Sequence, residues 1–269
     1  MDTRFWGPSG WRLLHTAAHQ YDPETASQMR RFLKTLPFIL PCKFCRSSLF
    51  TYYDELPPTD ATVSTQSTLF RWLYDIHNKV NAKLRAQGLN PTSDPSITAV
   101  RKFYDSWMKL STPQDRLQTF WDFLFSVAYC HPISTKSTPI HGGNLRRSRS
   151  HTVRLTSKSR RQDAREMDIS NANWFNTFNP KIRFKYYKQF WNLLPVAFES
   201  SISNAWNKAL ATNPLTPSTR SSTTAWLWRM RCAVQPSYTA PYATCCKKVA
   251  AYSSDCGSKR RAITCRRRK

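Results

Sequence analysis

The stretch FLKTLPFILPCKFCRSSLFTYY (residues 32–53) carries two cysteines with two residues between them, Cys42 and Cys45, directly after Pro41. A CxxC that follows a strand in a βαβ frame belongs to a thioredoxin-like fold, whereas the same pair on helices needs a different frame. The flanks decide between these. No segment around the pair alternates with period two, and apolar residues recur three and four positions apart instead. Trp11, Leu14, His15 and Ala18 share one face of a first helix that Ser9 can cap. Met29, Phe32, Leu33 and Leu36 line a second, opened at Pro23-Glu24 and stopped by Pro37. Pro41 suits the first turn of a third helix, where its missing N–H would be unpaired anyway. Leu69, Leu73, Ile76, Val80 and Leu84 stripe a fourth, from about 68 to 87, which Gly88 ends. A shorter helix follows over 96–108. Another opens at Thr112-Pro113, with Leu117, Phe120, Trp121, Leu124 and Val127 on one face. The expectation from the pattern is an all-α bundle.

The chain has 269 residues and a net charge of +25. The surplus is uneven: residues 136–166 hold nine Lys/Arg against two acids, and residues 247–269 hold nine against one. These two runs supply +15 of the +25. A nucleic acid or another polyanion is therefore a partner to consider, bound by the linker and the tail. The bland reading is a solvated linker and tail that bind nothing specific. Met1-Asp2-Thr3-Arg4 runs directly into helical sequence, so no secretory signal is expected. The most apolar stretch, FWDFLFSVAY (120–129), is too short to span a membrane. Eight cysteines in such a chain fit metal binding or redox chemistry better than a secreted disulfide scaffold.

Four readings of Cys42 and Cys45 compete. Zinc needs four ligands, and no second CxxC or HxxxH supplies the other two, so no metal site is expected. The thioredoxin reading lacks its strand. An inert buried pair and a catalytic dithiol remain, and local physics favours the dithiol. The N–H groups and positive end of a helix beginning here favour a thiolate, and Lys43 adds charge. A dithiol reacts only slowly with dioxygen, so a net disulfide maker needs an electron sink, and a flavin is the obvious one. Neighbouring helices can hold such a ring. Trp11 and His15 lie one turn apart, and Tyr74, His77 and Asn81 share a stripe. Each of these alone reads as an ordinary core or surface residue; together they favour a cofactor site.

WGPSGWRLLHTAAHQY (6–21), LPFILPCKFC (36–45) and WLYDIHNKVNAKL (72–84) resemble, in order and spacing, the Erv/ALR flavin-linked sulfhydryl oxidases. The resemblance covers about residues 5–108. It implies a four-helix bundle with a short fifth helix, FAD at its mouth, Cys45 facing the flavin as the charge-transfer thiolate, and Cys42 exchanging with reduced protein thiols. Electrons would pass to dioxygen and give hydrogen peroxide. Trp11, His15, Tyr21, His77, Asn78, Asn81 and Lys83 are the implied FAD-lining positions, with Lys102 and Trp107 as looser candidates; Tyr74 is a candidate from the stripe alone. The match is not complete. Tyr74 stands where many members have cysteine, and no cysteine lies between Cys45 and Cys130. The rival reading, from another class, is a basic nucleic-acid-binding or virion structural protein built on a helical scaffold.

The second half reads as a worn copy of the first. RRFLKTLPFILPCKFC (30–45) aligns without gaps on KQFWNLLPVAFESSIS (188–203), and RWLYDIHNKV (71–80) on AWLWRMRCAV (225–234). Ser200 and Ser203 then replace the cysteines, and Arg231 replaces His77. The expected layout is an FAD-binding oxidase domain at 1–131 (core 5–108) and a basic linker at 132–172. A helical pseudo-oxidase domain at 173–252 and a basic, cysteine-containing tail at 253–269 complete it. The extension resembles the second, flavin-free domain of oxidases from large DNA viruses. With no targeting signal or membrane span read in the sequence, the cytoplasm, viral assembly sites or the virion is the expected location. A homodimer is an open expectation, because a fused second unit could occupy the surface a partner would use. Cys245 and Cys246 are expected to bridge to distant partners such as Cys256 or Cys265 rather than to each other.

Overall fold

The computed structural model describes residues 1–89, 92–133 and 179–253. Ten α-helices and no strand occur among the described residues. They are α1 (Thr3–His19), α2 (Ala26–Ile39), α3 (Lys43–Glu55), α4 (Gln66–Ala86), α5 (Ile97–Leu110) and α6 (Pro113–Tyr129). After the undescribed segment come α7 (Pro180–Leu193), α8 (Ser200–Thr212), α9 (Arg220–Val234) and α10 (Tyr242–Ala251).

Several ends differ from expectation, each for a local reason. Asp2, not Ser9, caps α1 by accepting the Arg4 N–H at 2.9 Å. Ser9 lies inside the helix, where its hydroxyl donates to Thr119 O at 2.7 Å and accepts the Phe123 N–H at 3.0 Å. It ties α1 to α6. Pro23 opens a short 3-10 turn, Pro23–Thr25, before α2 begins. Pro37 does not stop α2, which runs on to Ile39. A proline there leaves the carbonyl of Leu33, four residues back, without its helical donor. Tyr53 Oη donates to that carbonyl at 3.0 Å, so a tertiary contact replaces the lost bond. Pro41 sits one residue before the cap of α3 rather than in its first turn, because Cys42 is the N-cap. Gly88 ends α4 as expected, with φ 69°, while Leu89 N donates to Leu84 O at 2.9 Å.

The two halves share one core. α1 packs on α6 and α2 packs on α7. A Cβ on Gly10 would stand 3.1 Å from the Phe123 ring, so a larger residue there would have to push the ring back by a few tenths of an ångström. Phe32 stacks on Phe190 with centroids 5.6 Å apart, and Phe38 on Tyr186 at 3.8 Å. Trp191, Trp206 and Trp226 fill the second half edge to face. Two buried ion contacts join the halves. Arg116 grips both oxygens of Glu199 at 2.6 Å, and Arg183 Nε donates to Phe38 O at 2.9 Å.

The aligned segments adopt matching local structure. Thr65 closes a capping box with Thr68 at the start of α4, and Thr219 does so with Ser222 at the start of α9. Trp72 Nε1 donates to Leu56 O, the C-cap of α3, at 3.0 Å; Trp226 Nε1 donates to Asn213 O, the C-cap of α8, at 2.9 Å. α8 opens at Ser200, where the alignment puts Cys42.

Candidate functional site

The start of α3 holds the dithiol. Cys42 has extended backbone (φ −107°, ψ 126°), and its sulfur accepts the Cys45 N–H at 3.4 Å. Leu40 O, just before the pair, accepts Arg46 Nη1 at 2.7 Å. Arg46 is buried, which lowers its pKa, while the thiols of Cys130, Cys42 and Cys45 act to hold its charge. One guanidinium thus stands among three cysteines, two from the motif and one from the end of α6. Burial raises the Cys130 thiol, and the arginines Arg46, Arg183 and Arg220 oppose that shift. Burial, then the nearby Arg46, pushes Arg183 down to about 9. Sequence reasoning missed Arg46 and Cys130; only folding brings α6 and α7 beside α3.

The two motif cysteines differ in surroundings. Cys42 is 1% exposed. Cys45 is half-buried and lies on the wall of a cavity of about 560 Å³ enclosed by α1, α3 and α4. Trp11, His77, Asn81 and Lys83 line the same cavity, with Phe44, Tyr52 and Tyr53 on its apolar side. Val80 and Leu84, expected in a core stripe, are half-buried and face this cavity too. Phe123 of α6 also reaches it, a contribution no local signal announced.

Trp11 and His77 stack face to face, with centroids 3.8 Å apart and planes 10° from parallel. His15 Nε2 lies 3.0 Å from His77 Nδ1, so one ring carries a proton between them and the other accepts it. His15 is buried and its Nδ1 has no partner. Burial, then the charge of His77, pushes His15 down to about 3; burial pushes His77 down to about 4, against the pull of Asp94. Both rings are neutral at pH 7. Asn81 donates to Asp94 at 2.8 Å, and Asp94 also pairs with Arg85 at 2.7 Å. Lys83 Nζ donates to Ser48 Oγ at 2.5 Å, across from α4 to α3.

The other sequence candidates stand elsewhere. Tyr21 Oη donates to Val63 O at 2.7 Å and Tyr74 Oη to Pro95 O at 2.8 Å, and neither borders the cavity. Asn78 is half-buried on α4 but off the cavity lining, and Lys102 is exposed on α5. Trp107 lies under Arg12 at 5.4 Å, with its Nε1 buried and without a partner. In the second half, Cys245 is buried and its sulfur lies 2.7 Å from Tyr238 Oη. Cys256 and Cys265, the partners expected for Cys245 and Cys246, lie outside the described residues.

A helical bundle with a dithiol at a helix start, opening on a large cavity of aromatic, imidazole and amide groups, defines a class of helical redox proteins. The chain matches the Erv1/Alr family over residues 8–107. It is 34% identical over 92 residues to an FAD-linked sulfhydryl oxidase, 347L, of Invertebrate iridescent virus 6, covering 31% of this chain and 83% of the relative. It is 36% identical over 88 residues to the mitochondrial FAD-linked sulfhydryl oxidase ERV1 of Saccharomyces cerevisiae, covering 31% of this chain and 45% of that protein. Against the FAD-linked sulfhydryl oxidase R368 of Acanthamoeba polyphaga mimivirus it is 29% identical over 128 residues, covering 46% and 83%. No solved structure matches significantly. The chain belongs to the Erv1/Alr family.

Proposed function

We propose that this protein is an FAD-dependent thiol oxidase that makes disulfides through Cys42 and Cys45. The observation that carries the proposal is Cys45 on the wall of the 560 Å³ cavity, together with Trp11, His77, Asn81 and Lys83. These residues fit a dinucleotide cofactor on structural grounds. The cavity offers flat aromatic walls for rings, and amide and ammonium donors for ribose and phosphate. His15, off the cavity lining, meets His77 Nδ1 through its Nε2 at 3.0 Å, and its own buried Nδ1 has no partner among the described residues. Trp11, His77, Asn81 and Lys83 would hold FAD. Bound there, FAD supplies an acceptor for the two electrons of the dithiol and a route from it to dioxygen, giving hydrogen peroxide.

The chain's own residues do the rest. A substrate thiolate attacks Cys42 Sγ of the oxidised pair, and the Cys42–Cys45 bond breaks with Cys45 Sγ leaving as thiolate. A second substrate thiolate then attacks its partner sulfur, and Cys42 leaves. The substrate disulfide and a reduced Cys42/Cys45 pair result. Arg46, buried beside both motif cysteines, favours the thiolate at each stage. Cys42 is 1% exposed, so exchange at its sulfur requires its cover to open. Reduced protein thiols are the proposed substrates.

The matched caps and tryptophan bonds support reading the second half as a degenerate oxidase-like unit that binds no flavin. α6 and α7 cover α1 and α2, so that face is closed to a second copy. No described helix is long and apolar enough to cross a membrane. The charge surplus of 136–166 and 247–269 supports a polyanionic partner, at an assembly site or in a virion. An electrophoretic shift assay at two salt concentrations tests that part.

The central test is direct. The purified protein should be yellow and should consume oxygen with dithiothreitol, and Cys45→Ser should keep the colour and lose turnover. A folded but colourless protein would contradict the reading.

A further inference from the structure

A second cleft lies where the two halves meet, between α1, α6, α9 and α10. Its two adjoining lobes measure about 410 and 210 Å³ and share Gln118, Asp122, Arg231 and Lys248. Arg231 is the centre of it. Its side chain is only 7% exposed, its guanidinium lies 3.6 Å from the Tyr238 ring centroid and 5.1 Å from that of Trp121, and Nη2 donates to Gln118 at 3.0 Å. Its Nε is buried and has no partner. Among the described residues no carboxylate bonds it: the nearby Asp122 is held by Lys248 at 2.6 Å. Arg4 and Arg12 complete the rim. Arg4 pairs with Asp2 at 2.8 Å and Lys248 with Asp122, so Arg231 and Arg12 are the cleft cations for which no carboxylate bond is seen among the described residues.

The place of Arg231 sharpens the point. WRLLHTAAHQY (11–21) runs without gaps against WDFLFSVAYCH (121–131), which sets Trp121 against Trp11 and Phe125 against His15. Arg231 aligns with His77, and like His77 it lies over a tryptophan of the helix opposite. The neutral imidazole pair of the first cavity is therefore replaced by a phenyl ring and a fixed cation. A buried guanidinium with an unused N–H is stabilised by an acceptor that brings negative charge.

We propose that this cleft binds a small phosphate-bearing ligand, with Arg231 as the buried anchor and Lys248 as a rim contact. The cleft and the dithiol cavity adjoin across α1, where Arg4 and Pro8 border both, but Arg231 and Lys248 line only the cleft.

The test uses the full-length, flavin-loaded protein and pyrophosphate as the probe, by isothermal titration in a non-phosphate buffer at constant ionic strength. Saturable binding at one site per chain is expected. Arg231→Gln should weaken it about tenfold or more, because a charge-assisted bond at a buried site is lost. Lys248→Gln, at an exposed rim position, should weaken it about threefold, in line with a solvated charge. Arg229→Gln removes the same charge from an exposed position on the same helix and should leave binding within about twofold. If Arg231→Gln fails to fold, the comparison of Lys248→Gln with Arg229→Gln decides. Absence of saturable binding would overturn the proposal. So would binding at several sites that every Arg or Lys replacement lowers alike, because the basic runs would then be responsible.

Discussion

Cys42 Sγ accepts the backbone N–H of Cys45 at 3.4 Å, so the first sulfur of the motif also closes the N-terminus of α3. In the proposed mechanism catalysis and helix capping share one atom, and replacements should separate them. Cys42→Ser keeps an acceptor at the cap, whereas Cys42→Ala removes it at a cost of about 1 kcal/mol. Both variants should lose turnover with dithiothreitol, but only the alanine should melt earlier. Oxygen uptake and thermal unfolding followed by circular dichroism check this. Equal melting temperatures would show that the sulfur does not cap the helix.

Arg46 should matter to the rate of thiol chemistry more than to the fold of the pair. Arg46→Lys keeps a charge, and Arg46→Gln removes it. At a fixed neutral pH, alkylation of the reduced motif cysteines by iodoacetamide should slow several-fold in Arg46→Gln and less in Arg46→Lys. Peptide mass analysis resolves Cys42 from Cys45. An unchanged rate in both variants would remove Arg46 from the mechanism.

The Arg116–Glu199 pair fastens α6 to the start of α8, with Arg116 side-chain exposure of 4%. Glu199→Gln leaves a buried cation without its counter-charge and should cost about 3 kcal/mol. Arg116→Met with Glu199→Met should cost less than Glu199→Gln alone, because neither charge is then stranded. Denaturant midpoints measure both. If the single variant loses flavin as well, the second half supports the first cavity.

His15 and His77 set a pH dependence. Their folded values, about 3 and about 4, lie below the unfolded value of 6.5. The unfolded chain thus takes up protons that the native chain refuses. The stability contribution is full above pH 6.5 and is lost as pH falls through the folded values. Each ring should steepen the loss by about 1.4 kcal/mol per pH unit within that window. Asp94 pulls His77 the other way, so His15 should dominate the lower end. Urea midpoints from pH 7 to 4 test the slope, and His15→Gln should flatten it.

Tyr53 offers a smaller, sharper case. Tyr53→Phe leaves the Leu33 carbonyl, orphaned by Pro37, without its donor. A loss of about 1–2 kcal/mol is expected. Pro37→Ala in the same background restores a helical N–H and should recover part of it.

The sequence by itself determined the helices, the CxxC and the ring-bearing stripe of α4. Helix periodicity and capping act over a few residues, so WLYDIHNKV and its neighbours place Trp72, His77 and Asn81 without any knowledge of the fold. Gly88 and the Thr112-Pro113 start were legible for the same reason. Local rules failed where a distant group intervened. Pro37 reads as a stop until Tyr53 supplies the missing donor, and Ser9 reads as a cap until Thr119 and Phe123 claim its hydroxyl. The gathering of Arg46, Arg183 and Cys130 near the motif, and the cleft around Arg231, depend on α6, α7 and α9 meeting α1, α2 and α10. Burial and Coulomb interaction act through space, and only the tertiary structure sets which groups share that space.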